Sequence, residues 1–194
     1  TNNDTLVFLY LESNSLTTVT GVNDKTHLTY LQLKYNELTS LDLSGCTSMV
    51  ELAVSNNNLS SLDVTGCTAM VTIHAYNNEL TAIDLSTNDL LEQVYVNNNQ
   101  LTSIDVSDKP NLAYLFVSDN QLTSIDVSNN PLLNQLNIIS NQLTSLEISN
   151  NTLLTRLWAN NNELTSMDVT NNDTLVFLYL ESNSLTTVTG VNDK

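Results

Sequence analysis

Seven acidic residues are the first candidates for chemistry, because they recur every 21 residues and their carboxylates could bind a cation. They are Asp42, Asp63, Asp84, Asp105, Asp126, Glu147 and Asp168. Neighbouring charges about 4.8 Å apart repel by roughly 0.9 kcal/mol even in water, so such a column needs compensation. Either each carboxylate accepts a hydrogen bond from the amide two residues further on, or the column binds a hard cation such as calcium. One carboxylate per repeat favours the hydrogen bonds, and we expect no metal and no cofactor.

The cysteines and histidines are the other candidates for a reactive site. Cys46 and Cys67 are one period apart, in the segments SGCTSM and TGCTAM. Their expected Cα separation suits a disulfide, but parallel side-chain directions often do not, so two buried small side chains are favoured. His27 and His74 occupy different positions of the repeat, and no nucleophile elbow, phosphate loop or zinc-ligand set accompanies them. The sequence therefore predicts no enzymatic activity.

The charge of the chain disfavours two classes of partner. Its 194 residues carry a formal net charge of −16, which repels nucleic-acid phosphates and anionic lipids. Its apolar runs are all shorter than the roughly 18 to 20 residues that span a bilayer. We therefore expect no nucleic-acid binding and no membrane insertion.

The repeat that positions these residues is visible along the whole chain. A segment of the form LxxLxLxxNxL recurs, with clear copies in LTYLQLKYNEL from Leu28, LAYLFVSDNQL from Leu112 and LNQLNIISNQL from Leu133. A second segment, such as TSIDVSNN, lies between copies. The chain 1–194 thus divides into nine coils, at about 2–22, 23–44, 45–65, 66–86, 87–107, 108–128, 129–149, 150–170 and 171–191.

This pattern resembles the leucine-rich repeat family over the whole chain. The phrase NNQLTSLDVSNN, to which several repeats conform, is similar to bacterial cell-surface and secreted members with 21-residue repeats, of the internalin type but without its usual capping domain. The resemblance implies a non-enzymatic recognition protein, extracellular or on a bacterial cell surface.

The expected fold is an all-β solenoid, a right-handed leucine-rich repeat stack. In the LxLxx segment two side chains point inward around one that points outward, which predicts a parallel sheet on one face. The second segment is rich in Ser, Thr, Asn and Val, which favours short strands on the other face and little or no helix.

An asparagine recurs once per coil after the strand. Its amide group can satisfy backbone groups that turning leaves unpaired, at a cost of about 1 to 3 kcal/mol each if they stay unpaired. We therefore interpret this column as a structural ladder. It comprises Asn14, Asn36, Asn57, Asn78, Asn99, Asn120, Asn141, Asn162 and Asn183.

The outward face of the main strands is the predicted ligand-binding face. Three outward columns vary from repeat to repeat, and they hold every aromatic residue of the chain except Tyr35. Rigid rings with polar tips suit protein or carbohydrate recognition, whereas the alternative is that they only stabilise the sheet. The candidate residues are Phe8, Tyr10, Tyr30, Gln32, His74, Tyr76, Tyr95, Tyr114, Phe116, Asn137, Arg156, Trp158, Phe177 and Tyr179.

Residues 170–194 repeat residues 1–25 letter for letter. Because ordinary neighbouring coils differ on the outward face, the fold does not require this identity. It favours a segment of a longer repetitive surface fibre, with possible head-to-tail self-association through uncapped ends. The alternative is a discrete ligand-binding module or an engineered repeat protein that does not polymerise.

Overall fold

The computed structural model describes residues 3–191, in which a nine-stranded parallel sheet runs along the solenoid. Its strands lie in the order β1-β2-β3-β4-β5-β6-β7-β8-β10. They are β1 (Phe8–Tyr10), β2 (Tyr30–Gln32), β3 (Glu51–Ala53), β4 (Thr72–His74), β5 (Gln93–Tyr95), β6 (Tyr114–Phe116), β7 (Gln135–Asn137), β8 (Arg156–Trp158) and β10 (Phe177–Tyr179). Strands β9 (Ser166–Asp168) and β11 (Thr187–Thr189) form a second, two-stranded sheet. The described residues contain no helix, so the predicted all-β solenoid with a parallel sheet is confirmed.

Each main strand is three residues long, and its middle side chain packs in the core. Leu31 pairs in register with Leu52, and Leu52 pairs with Ile73, and all three are completely buried. Neighbouring strands of such a ladder lie about 4.8 Å apart, so each turn covers the apolar stripe of the next. This register places residues of the same repeat position side by side along the axis.

After each main strand the chain turns at one residue whose backbone has a positive φ angle, in the left-handed region. The φ angles at these positions lie between 53° and 58°, although none of them is a glycine. The residues are Ser13, Tyr35, Asn56, Asn77, Asn98, Asp119, Ser140, Asn161 and Ser182. Asparagine and aspartate tolerate this region better than other L-residues, which explains their frequency in the column.

The second side of the solenoid consists mainly of tight turns. The amide of Asn88 donates to the carbonyl of Leu85 (2.9 Å), and the amide of Leu91 donates to the carbonyl of Asn88 (3.2 Å). Because these local bonds satisfy the backbone within one turn, a ladder between turns is not required there. The short strands expected on this side are accordingly present as β9 and β11, in the last two turns, while the other described turns have none.

Between β1 and β2 the repeat is 22 residues long rather than 21, and the extra residue lies at a glycine. Strands β1 and β2 pair Phe8 with Tyr30, which are 22 residues apart. The tight turns that begin at Val22 and Leu43 are again 21 residues apart. The insertion therefore lies just before Val22, where Gly21 has a φ of 73°, a conformation open to glycine at no steric cost.

Candidate binding face

The sheet face holds all the residues predicted for ligand binding. Phe8 and Tyr10 lie on β1, Tyr30 and Gln32 on β2, His74 on β4, Tyr95 on β5, Tyr114 and Phe116 on β6, Asn137 on β7, Arg156 and Trp158 on β8, and Phe177 and Tyr179 on β10, while Tyr76 follows β4 by two residues. They alternate with middle residues that are buried in β2 to β8 and half-buried in β1 and β10, and they are themselves half-buried or exposed. These residues lie along one face of the sheet rather than around a pocket.

The rings of this face stack on one another along the solenoid axis. His74 lies 4.6 Å from Tyr95 with an interplanar angle of 7°, and Tyr95 lies 5.0 Å from Phe116. Trp158 reaches across Asn137 to Phe116, at 5.9 Å, and lies nearly parallel to Tyr179 at 6.4 Å. We call His74, Tyr95, Phe116, Trp158 and Tyr179 the long ring cluster.

A second, smaller group of rings lies at the other end of the face. Phe8 stacks on Tyr30 at 5.1 Å and on Tyr10 at 6.4 Å. The two groups are separated by the turn of β3, where the outward columns hold Glu51, Ala53 and Ser55. Because their neighbours in the adjacent turns are larger, Ala53 and Ser55 are completely buried although their positions face outward. The aromatic surface is therefore interrupted, which the repeat pattern alone did not indicate.

The distribution of positive charge distinguishes this face from the rest of the surface. Arg156 places its guanidinium 5.1 Å from the centre of the Phe177 ring. Lys34 lies close enough to His74 to lower the pKa of the imidazole, after the larger effect of burial. Lys25 and Lys109, by contrast, are buried and ion-paired elsewhere, with Asp4 and Asp24 and with Asp89 respectively.

The asparagine ladder lies between the sheet and the following turn. The side-chain amide of Asn120 donates to the carbonyls of Val96, Val117 and Ser118, each at 3.1 Å. Its carbonyl accepts from the amide of Leu101 at 2.9 Å. One side chain thus connects its own turn with the preceding turn, and the same bonds recur at the neighbouring asparagines.

A second buried asparagine column was missed by the sequence analysis. It occupies the tight turns of the opposite side, at Asn88, Asn130, Asn151 and Asn172. Asn151 donates to the carbonyls of Val127 (2.9 Å) and Asn130 (3.0 Å), so it also joins two turns. The signal was present as an asparagine every 21 residues, but Lys109, Cys46 and Cys67 interrupt the column and obscure it.

The two cysteines belong to this second column. Both are completely buried free thiols, and the Cys46 thiol donates to the carbonyl of Val22 at 3.3 Å. Burial raises the pKa of Cys46 to about 11 and that of Cys67 to about 12. They therefore serve as small core side chains in place of asparagine.

The acidic column makes the backbone hydrogen bonds that we favoured. The amide of Ser86 donates to a carboxylate oxygen of Asp84 at 2.9 Å, and the amide of Ser107 donates to Asp105 at 2.9 Å. In all seven residues hydrogen bonds from the residue two positions on are the main cause of a lowered carboxyl pKa. These bonds thus outweigh the repulsion between neighbours.

Metal-binding clusters and membrane-spanning helices are both absent from the described residues. Residues 3–191 contain no group of three or more His, Cys, Asp or Glu side chains placed to hold a metal ion. The same part of the chain has no helix long and apolar enough to cross a membrane.

The fold was compared with known proteins. No protein-family model and no curated protein sequence matches the chain. Among solved structures, the functional domain of InlJ from Listeria monocytogenes, described as including a cysteine ladder, is 31% identical with a TM-score of 0.81, over 92% of this chain and 44% of its own. The internalin InlF from the same species is 22% identical with a TM-score of 0.85, over 94% of this chain and 60% of its own. The plant receptor RGFR1, solved in complex with the peptide hormone RGF2, shares the fold at 19% identity and a TM-score of 0.84, over 94% of this chain and 33% of its own.

The chain therefore spans less than two thirds of each of these three structures. What they share with it is a parallel sheet built from short repeats, and here the repeat is 21 residues with an asparagine in each turn. The chain is a leucine-rich repeat protein.

Proposed function

We propose that this chain is a non-enzymatic recognition module, secreted or on a bacterial cell surface, whose nine-stranded face binds a protein. The observation that carries the proposal is the long ring cluster, which extends from β4 to β10 on the outward side of the sheet. Aromatic residues supply large, rigid contact areas and are enriched where protein interfaces gain most of their binding energy. The internalin structures support the location, and the complex of RGFR1 with a peptide supports the kind of ligand.

The orientation of the rings favours a protein over a glycan. Sugars bind aromatic residues mainly by packing against an open ring face. His74 and Tyr95 are nearly parallel at 4.6 Å, so each covers a face of the other and their edges are left for a ligand. Ring edges and the polar tips of Tyr and Trp suit the carbonyl and carboxylate groups of a polypeptide.

The test is a binding screen against an array of purified extracellular proteins. We expect the double variant Phe116→Ala with Trp158→Ala to lose at least tenfold in affinity for any protein that the parent chain binds, because both rings lie in the middle of the long ring cluster. Tyr35→Ala is the matched control, since Tyr35 is exposed but lies outside the three outward columns. Equal affinity of the parent and the double variant for every bound protein would refute the proposal, and binding confined to a parallel glycan array would replace protein by carbohydrate.

Head-to-tail assembly into an adhesive fibre is a second candidate, favoured by the internal identity. Residues 3–25 and 172–194 have the same sequence, so the turn of β10 carries the same outward residues as the turn of β1. Strands β1 and β10 are the two edge strands of the described sheet, so a second copy that places its β1 turn against the β10 turn would continue the parallel ladder. Light scattering across a concentration series tests this candidate: a mass that rises with concentration supports it, and a constant monomer mass contradicts it.

A further inference from the structure

The positive charges of the sheet face are placed to select an acidic ligand. Of the five basic residues, Lys194 lies outside the described residues, and Lys25 and Lys109 are buried in ion pairs. The remaining two, Lys34 and Arg156, both lie on the sheet face, and within the described residues neither forms an ion pair. Within residues 3–191, the two cations that form no ion pair thus both lie on the aromatic face of a chain whose net charge is −16.

Lys34 adjoins the interruption of the aromatic surface at β3. In its outward column it is followed by Ser55 and then by Tyr76. Ser55 is completely buried, and its hydroxyl has no hydrogen-bond partner. Burial and, to a smaller extent, Lys34 lower the pKa of His74 on the next strand, which favours the neutral imidazole with its one N–H donor. An ammonium group and an imidazole therefore flank the turn in which Ala53 and Ser55 are covered.

Arg156 supplies the second positive group, near the other end of the long ring cluster. Phe177 covers one face of its guanidinium, which holds the group in place and leaves its N–H edge toward solvent. Six strand steps separate β2 from β8, so the two cations are roughly 30 Å apart along the sheet. Most of the long ring cluster lies between them.

The acidic residues of this face form no ion pair with the two cations. Glu51 accepts a hydrogen bond from Gln32 at 3.5 Å. Glu12 precedes Lys34 in the same outward column, yet no ion pair joins the two. Glu181 lies one turn after Arg156. It is two positions beyond Tyr179 and therefore belongs to a different outward column from Arg156.

We propose that the partner is an acidic polypeptide segment that lies along the sheet face, with one carboxylate at Lys34 and another at Arg156 and apolar side chains on the rings between them. This inference rests on the proposed function and names the chemistry of its ligand. An extended chain rises about 3.3 Å per residue, so a 30 Å separation corresponds to acidic residues about nine positions apart.

The experiment is a selection from a displayed library of random 16-residue peptides against the immobilised chain. Enriched peptides are expected to carry Asp or Glu about nine positions apart with apolar residues between. Lys34→Gln and Arg156→Gln are each expected to weaken their binding about threefold to tenfold, as for partly desolvated ion pairs. Lys34→Arg, which keeps the charge, is the matched control and is expected to bind within twofold of the parent chain.

The outcomes separate this inference from the proposed function. Enriched peptides that need Phe116 and Trp158 but carry no excess of acidic residues would overturn the inference and leave the proposed function intact. Peptides that bind equally to the Phe116→Ala, Trp158→Ala double variant, or no enrichment at all, would overturn the inference, while the protein array tests the proposed function independently. Hyaluronan, an acidic glycan without apolar side chains, is a further probe. If Lys34→Gln weakens hyaluronan binding as strongly as it weakens peptide binding, the assignment to a polypeptide is overturned.

Discussion

The side-chain amide of Asn77 donates a hydrogen bond of 2.7 Å to the side-chain carbonyl of Asn56, one turn earlier in the solenoid. Asn98 makes the same bond to Asn77, also at 2.7 Å. All three residues have positive φ angles, so the left-handed turn and the side-chain ladder occur at one position. The ladder stops at Asn56, whose own amide is buried without a partner because Tyr35 occupies the position before it.

Replacing Tyr35 by asparagine is therefore expected to stabilise the protein. Tyr35 has a φ of 56°, a conformation that asparagine adopts more readily than tyrosine, and its 57% exposure means that little packing is lost. The new side-chain carbonyl would accept from Asn56 and extend the ladder. We expect a gain of about 1 to 2 kcal/mol in the free energy of unfolding, measured by urea denaturation.

Tyr35→Phe is the control for this variant, because it keeps the strained backbone and supplies no acceptor. Its stability should match that of the parent chain. A Tyr35→Asn variant no more stable than Tyr35→Phe would show that the ladder does not extend to this turn.

Truncation of an asparagine of the main ladder is expected to be costly. Asn120→Ala removes an acceptor for the buried amide of Leu101 and a donor shared by three carbonyls. Because the buried amide of Leu101 loses its partner while each of the three carbonyls keeps another donor, the free energy of unfolding should fall by about 1 to 3 kcal/mol. Asn129→Ala, at an exposed asparagine nearby, should change it by no more than about 0.5 kcal/mol. Similar losses in both variants would contradict the structural role of the ladder.

The buried thiols should resist alkylation while the protein is folded. Burial raises the pKa of Cys46 to about 11 and that of Cys67 to about 12, so almost no thiolate is present at pH 8. We expect mass spectrometry after iodoacetamide treatment to find no adduct in buffer and two adducts in urea. If the two cysteines react in buffer as fast as added glutathione does, this side of the folded solenoid opens and exposes them to the reagent.

The acidic column predicts a loss of stability in acid. Its hydrogen bonds lower the pKa of each carboxyl in the folded state, so folding favours the ionised form. This stabilisation is complete above the pKa of an unfolded carboxyl, about 4, and is lost as the pH falls through the lower folded-state values. The midpoint of thermal unfolding should therefore be constant from pH 7 to about pH 5 and decrease below about pH 4.

The double variant Asp84→Asn with Asp105→Asn provides the comparison for this prediction. Asparagine keeps the acceptor oxygen but cannot titrate, so the acid-induced decrease in the unfolding midpoint should become smaller. A midpoint that rises in acid would mean that repulsion within the column outweighs its hydrogen bonds.

How far the sequence was informative differs between the features of this chain. The 21-residue period predicted the parallel sheet and the buried positions of Leu31 and Leu52, because an in-register ladder places equal repeat positions side by side. It also indicated a hydrogen bond between Asp84 and the amide two residues further on. The assignment of the outward residues to a binding site stays a prediction.

The connecting segments were harder to predict from composition. Their Ser, Thr and Val content favours strands, yet most of them form tight turns, since local bonds such as that from Asn88 to Leu85 satisfy the backbone without a neighbouring strand. Column interruptions such as Lys109 hid the second asparagine ladder for a different reason. This ladder is defined by hydrogen bonds between turns. The acceptors lie 21 and 24 residues earlier in the chain, so the ladder is seen only when the fold brings the partners together.

The sequence by itself determined the repeat, the solenoid and the side of the sheet on which each strand residue lies, because these follow from periodicity and from stacking in register. The tertiary structure alone decided that Ala53 and Ser55 are covered, that Trp158 reaches Phe116 across Asn137, and that Lys109 is buried. These outcomes depend on the sizes and rotamers of side chains in adjacent turns. Such contacts are made between residues that only packing brings together, so no single repeat contains the information.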